Sequence, residues 1–356
     1  MNARIAAVLV ALLVLIGGGA LQYYQQSQSQ RPAGAATLGK PLIKGLKAAE
    51  IASIVIREPK AGITLQRKEA GWAIAERGAF PADLDRVRDF VVQAIELKIG
   101  QSEPIAAADR ARLKVDDSGA LVEFKGADGK VMARILVGKK YFKSEPDNPD
   151  QAIGDGRFVL LPDEEKTVYV VSNPLSQATA KTAEWIARAG FAVEKVKTLE
   201  VSPATGEGWK IERAADNAEW KLSGAKAHEK LEITKANAAA YSLSSMELAD
   251  VAPKDAKPEE TGLSSPTVVK ATTFDGLVYT LNVGRLEADH HYVSVAVAGE
   301  PRPEGSDAAE RAKKISERLP REKALADYTL LIAKSKFEDV LKRRADLLAR
   351  KEAAKK

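Results

Sequence analysis

At 356 residues the chain is long enough for about two domains, and its 45% apolar and 29% charged residues are those of a folded protein rather than a disordered one. Its 54 basic residues are interleaved with 49 acidic ones, so the net charge of +5 is a solvated surface and excludes a nucleic-acid footprint. There is no cysteine, which excludes disulfides, thiol catalysis, cysteine zinc sites and a lipoprotein anchor.

Met1-Asn2-Ala3-Arg4 leads into an uncharged apolar run from Ile5 to Leu21, followed by Tyr23-Tyr24. As a helix this stretch would span roughly 30 Å, the thickness of a hydrocarbon core, with the paired tyrosines at the far interface. Residues 1–24 therefore read as a single transmembrane anchor, with Arg4 inside and the body outside. The alternative is a cleaved signal peptide with Gly18 and Ala20 before the cut; the length of the apolar run favours the anchor. Either way the body is exported, and the anchor reading makes it the extracytoplasmic part of a single-pass membrane protein. Residues 25–40, rich in Gln, Ser, Gly, Pro and Ala, read as a flexible linker.

A first α+β unit is expected over residues 41–190. Ile51-Ala52-Ser53-Ile54-Val55-Ile56, Ile63 to Arg67 and Trp72-Ala73-Ile74 read as strands. Asp83 is placed to cap a helix from Leu84 to Lys98, whose Leu84, Val87, Phe90, Val91 and Ile95 share a face. Leu121 to Phe124 and Val131 to Val137 flank Ala127-Asp128-Gly129 as a hairpin ended by Gly138. A polar loop from Lys139 to Gly156, strands Arg157 to Leu161 and Thr167 to Val171, and a helix near Ser176 to Arg188 complete the unit.

The same order returns over residues 191–349. Val196 to Val201, Trp209 to Arg213 and Glu219 to Leu222 repeat the first three strands, and Thr234 stands in the capping place of Asp83 before a weaker helix through Tyr241, Leu243, Met246 and Leu248. Thr267 to Phe274 and Leu277 to Val283 repeat the hairpin around Asp275-Gly276, with Gly284 at the place of Gly138. His291 to Val295 repeats Arg157 to Leu161, a charged segment Ala298 to Ala324 is inserted, and Asp327 to Leu331 with a helix from Lys336 to Ala349 closes the copy. Residues 350–356 are a basic tail. Self-similarity over so long a period outweighs any single motif. The expected fold class is α+β, two tandem copies of a mainly antiparallel sheet-plus-helix module after one N-terminal transmembrane helix.

The order Trp72, Pro81-Ala82-Asp83, helix, then a hairpin closing in Leu136-Val137-Gly138, with Thr261-Gly262-Leu263-Ser264-Ser265-Pro266, Leu281-Asn282-Val283-Gly284 and Tyr292-Val293 later, carries a resemblance. It resembles a bacterial domain-of-unknown-function family found in membrane-anchored envelope proteins, often encoded beside gliding-motility-type ABC transporter components. The resemblance implies an exported accessory subunit of a transporter or envelope assembly, with no catalytic residue to carry over. The first copy departs from the pattern, with Ala111-Arg112-Leu113-Lys114-Val115 where the second has Gly-Leu-Ser-Ser-Pro, and in the second Glu232-Ile233-Thr234 replaces Pro-Ala-Asp.

Chemistry is sparse. Asp289-His290-His291 is the one cluster that could bind a metal, but strand neighbours point to opposite sides, so it reads as a solvated loop leading into a strand; His228 sits in a polar loop. No phosphate loop or Gly-x-Ser-x-Gly elbow is present. Asp116-Asp117, Glu164-Glu165 and Glu259-Glu260 read as turn residues rather than a glycosidase pair. Trp72 and Trp220 read as core residues, and Gly138 and Gly284 as glycines needing unusual dihedrals. No catalytic, cofactor or metal residue is therefore assigned and no enzyme is expected. The expected role is a membrane-anchored extracytoplasmic accessory subunit acting by protein contacts, with ABC transporter subunits as partners and no nucleic acid. The alternative is a module that binds a polysaccharide or lipid-like substrate.

Overall fold

The computed structural model describes residues 37–145 and 148–349. The expected membrane helix, most of the linker and the basic tail lie outside the described residues.

The fold is mixed α+β, with two mainly antiparallel sheets and few helices. In chain order the first part holds β1 (Ser53–Glu58), β2 (Ala61–Lys68), β3 (Gly71–Ile74), β4 (Phe80–Pro81), α1 (Leu84–Ile95), β5 (Ile99–Pro104), a short α2 (Arg110–Leu113), β6 (Ala120–Lys125), β7 (Val131–Glu145), β8 (Asn148–Leu160) and β9 (Thr167–Val171). Then follow β10 (Val196–Ser202), β11 (Trp209–Glu212), β12 (Lys221–Leu222), α3 (Ile233–Tyr241), β13 (Asp250–Val251), a short α4 (Pro258–Thr261), β14 (Thr267–Thr273), β15 (Leu277–Glu287), β16 (His290–Gly299), α5 (Ala308–Ala324) and β17 (Leu330–Ala333).

The sheets run β4-β3-β2-β1-β6-β7-β8-β9-β5 and β12-β11-β10-β14-β15-β16-β17-β13. With β4 set aside, the two orders correspond strand for strand. By contacts the chain divides into two compact units, one running through Gly62 and resuming over Arg88–Ala180, the other made of Ile63–Val87 and Lys181 onward.

Alternation builds each sheet. In β14 and β15 every second residue is buried, Val269, Ala271 and Thr273 facing the same way as Leu277, Tyr279, Leu281 and Val283. The hairpin turns form where Asp128-Gly129 and Asp275-Gly276 stand, with φ of 78° at Gly129 and 86° at Gly276. Asp83 caps α1 as its position requires, its Oδ1 accepting from Arg86 N at 3.1 Å.

Several elements depart from expectation. Lys139 to Gly156 is not a loop: β7 continues through Gly138, and Lys140 pairs with Arg157, Tyr141 with Gly156 and Phe142 with Gly154. Two strands can bond to each other along their shared edge without an apolar face, so the polar sequence carries no strand signal. Thr234 does not cap α3; it lies inside the helix and donates to Glu232 Oε1 at 3.0 Å, while Glu232 is the N-cap without a side-chain cap bond. The helix itself ends at Tyr241.

The helices expected at Ser176 to Arg188 and Lys336 to Ala349 are instead extended straps with single turns at Thr182–Glu184, Lys334–Lys336 and Arg344–Leu347. Their backbone groups bond to other segments: Asp83 N to Trp185 O and Ala187 N to Pro81 O in the first, Glu232 N to Leu347 O and Ala349 N to Lys230 O in the second. Conversely the charged insertion forms α5, which buries Ile315, Leu319 and Glu322.

Candidate ligand groove beside Trp220

The start of β10 is irregular. Lys195 has φ of 49°, a left-handed conformation uncommon for a side chain of its length, and the register of β10 on β14 shifts between Val196 and Thr198. This opens a carbonyl, Val196 O, that accepts from Arg213 Nε at 2.8 Å. Arg213 also donates to Asp216 Oδ1 at 2.6 Å, and its guanidinium lies 4.7 Å from the Trp220 ring centre and 5.7 Å from that of Phe274. Trp220 is in turn fixed by its Nε1, which donates to Asn237 Oδ1 on α3 at 2.9 Å.

Between this cluster and α3 lies a cavity of 640 Å³. Val193, Val196, Ala238 and Ala240 give it apolar walls, while Glu194, Lys195, Arg213, Asn237 and Ser244 place polar groups among them. Tyr241 stands at its rim with 78% of its surface exposed. Mostly apolar walls with a few convergent polar groups are the usual make-up of a small-ligand cleft.

A second cavity of 660 Å³ shares Lys195 and is lined by Lys197, Phe274, Arg302 and Arg311 among others. Its cations are largely neutralised: Arg311 meets Asp275 at 3.0 Å, Arg302 meets Glu300 at 3.4 Å and Lys195 meets Asp307 at 3.9 Å. The side-chain bond that Arg311 donates to Asp307 holds that carboxyl below its ordinary range.

The residues weighed in the sequence take structural places. His291 Nδ1 lies 3.1 Å from Gly284 O, and its ring meets Phe337 edge-to-face at 5.6 Å; His290 pairs with Ala333 on β17. No group of three potential ligands to a metal is found among the described residues. His228 is exposed. Asp116 accepts from the Ser118 hydroxyl and from Ser118 N at 3.0 Å, bonds that in that order lower its carboxyl, Glu165 holds Arg110 at 3.1 Å, and Glu260 turns back to Lys257 N. Glu164 accepts from the Tyr169 hydroxyl; burial first and this carboxylate second push that phenol up to about 12.

Trp220 is buried and Trp72 half-buried beneath Arg67, whose guanidinium sits 5.3 Å from its ring centre. Gly138 and Gly284 are corrected: neither has a positive φ. Each is needed because a Cβ would collide with a carbonyl, that of Leu113 in one case and Thr261 in the other. The groove around Arg213, Asn237 and Tyr241 was not legible in the sequence, where Tyr241 reads as one more apolar residue of a helix that extends through Leu248.

The model of the domain of unknown function DUF4340 matches residues 72–266. The chain belongs to this family. The DUF4340 match runs from Trp72 in β3 to Pro266 before β14, so all the groove residues, from Val193 to Ser244, lie inside it. No curated protein and no solved structure matches the chain.

Proposed function

We propose that this DUF4340 chain is a non-enzymatic accessory subunit of an ABC transporter or other envelope complex, anchored in the bacterial inner membrane by residues 1–24 and acting from the periplasm through protein contacts. Its two sheets are read as tandem copies of one module, which the shared strand order supports.

The observation that carries the reading is the arm formed by β7 and β8. Val131 to Val137 pair with β6, and Arg157 to Leu160 pair with β9, but Tyr141–Glu145 and Asn148–Gly156 pair only with each other among the described residues. The arm therefore leaves main-chain donors and acceptors along its outer edges, the template on which another chain adds a strand. Phe142 on this arm is 53% exposed. A membrane tether raises the effective concentration of such an arm for a partner in the same membrane.

The test is a mild-detergent pull-down of the full-length chain from its native membrane, beside a chain lacking residues 1–24. Transporter subunits are expected with the full-length chain and in lower yield with the shorter one; their absence from both rejects the accessory-subunit reading. A second reading, capture of a small ligand for the complex, is favoured by the groove beside Trp220 and the exposed Tyr241 at its rim.

A further inference from the structure

We propose that the groove beside Trp220 binds an oligosaccharide, with the Tyr241 ring as its stacking platform. The inference rests on the ligand-capture reading and names its ligand class.

Tyr241 is the most exposed large hydrophobic side chain among the described residues, and it ends α3 at the mouth of a cavity instead of turning into the core. An exposed aromatic face at the rim of an apolar cleft favours a ligand with a flat apolar face and a polar edge. A pyranose ring is such a ligand: its C–H faces lie on aromatic rings and its hydroxyls bond at the sides.

The polar groups fit the same ligand. Because Asn237 Oδ1 already accepts from Trp220, this exposed wall residue keeps two amide N–H donors to which a hydroxyl oxygen can bond. Arg213 and Trp220 are held before any ligand arrives, by Asp216, Val196 O and Asn237, so their ordering costs nothing on binding.

Two rival classes fit less well. An acyl chain gains about 0.8 kcal/mol for each methylene removed from water, but here Glu194, Lys195 and Arg213 interrupt the walls and would lose solvent to it. A simple anion needs an uncompensated cation, whereas Arg213 is bound to Asp216 at 2.6 Å and Glu194 is itself a wall residue.

The experiment uses the full-length chain in lipid nanodiscs, with empty nanodiscs as reference. Maltotriose, N,N′,N″-triacetylchitotriose and octanoate are titrated separately while tryptophan fluorescence is followed. At least one trisaccharide is expected to give a saturable change, weakened about tenfold in Tyr241→Ala and retained in Tyr241→Phe, which keeps the ring. Thermal melts of both variants should match the parent chain, since Tyr241 is exposed. Equal binding by Tyr241→Ala overturns the site. No response to either trisaccharide overturns the saccharide class; a saturable octanoate response lost in Tyr241→Ala would then leave the ligand-capture reading standing, and no response to any probe would remove both.

Discussion

The carbonyl oxygen of Leu113 lies over Gly138 so closely that no Cβ fits between them, and Thr261 stands in the same relation to Gly284. The turn that delivers each carbonyl ends in a left-handed residue, Lys114 at φ 55° after α2 and Gly262 at φ 73° after α4. On the adjoining strand Arg157 Nε donates to Gly138 O at 2.7 Å, at the position where His291 Nδ1 meets Gly284 O. Both sheets thus close one helical turn onto a strand glycine.

Gly138→Ala and Gly284→Ala are each expected to destabilise the chain by about 1–3 kcal/mol, the range for overpacking a tight contact. The shift of the denaturant midpoint measures it. Loss below a few tenths of a kcal/mol would mean that the turn moves away freely.

Glu123, 6% exposed, sits among Arg134 at 3.1 Å and Arg57 and Lys125 at 3.3 Å each. Removing the one carboxylate leaves three cations facing one another. Glu123→Gln is expected to cost about 1–3 kcal/mol, less than for a fully buried pair because water reaches the cations. The loss should shrink as salt is raised, and a salt-independent loss would point to packing instead.

Tyr279 and Glu322 are both buried, and the phenol donates to Glu322 Oε2 at 2.7 Å. Burial, with the carboxylate beside it, pushes the Tyr279 phenol well above its ordinary range. The raised group holds its proton better in the folded state. Its contribution is therefore complete below about pH 10 and is lost as the pH climbs above that value. Tyr279→Phe should cost about 1.5–3 kcal/mol at neutral pH, and the variant's stability should fall less steeply in alkali. Urea melts between neutral pH and strong alkali compare the two slopes.

The Ile63–Val87 segment counts with the second compact unit, where Phe80 meets Tyr328 edge-to-face at 4.9 Å and Arg77 donates to Thr182 Oγ1 at 3.0 Å. Phe80 is buried. Phe80→Ala is expected to cost about 3–5 kcal/mol, and a chain starting at Lys181 should melt at lower temperature than the same unit in the full chain. Hydrogen exchange checks the first: protection should fall in β17, which begins two residues after Tyr328. Unchanged exchange there would sever the link.

Local signals were readable where the chemistry is local. Asp83 caps α1 with its own side chain, Gly129 and Gly276 supply the turn dihedrals, and alternation in β14 and β15 marks the buried face. The straps at residues 172–190 and 334–349 misread as helices because their apolar residues recur at helical spacing. Yet Trp185 O and Leu347 O accept bonds from Asp83 and Glu232, residues distant in sequence. The groove stayed hidden for a related reason: Arg213, Trp220 and Asn237 are separated along the chain and meet only once β10, β11 and α3 are placed.

The sequence by itself determined the strands with period-two burial, such as β14 and β15, and the hairpins at Asp128-Gly129 and Asp275-Gly276, because alternation and turn residues act over a few neighbouring positions. Only the tertiary structure decided why Gly138 and Gly284 must be glycine, which segments are straps, and that Tyr241 faces a cavity rather than a core. Those depend on backbone groups finding partners far along the chain, a pairing that the order of residue types does not encode locally.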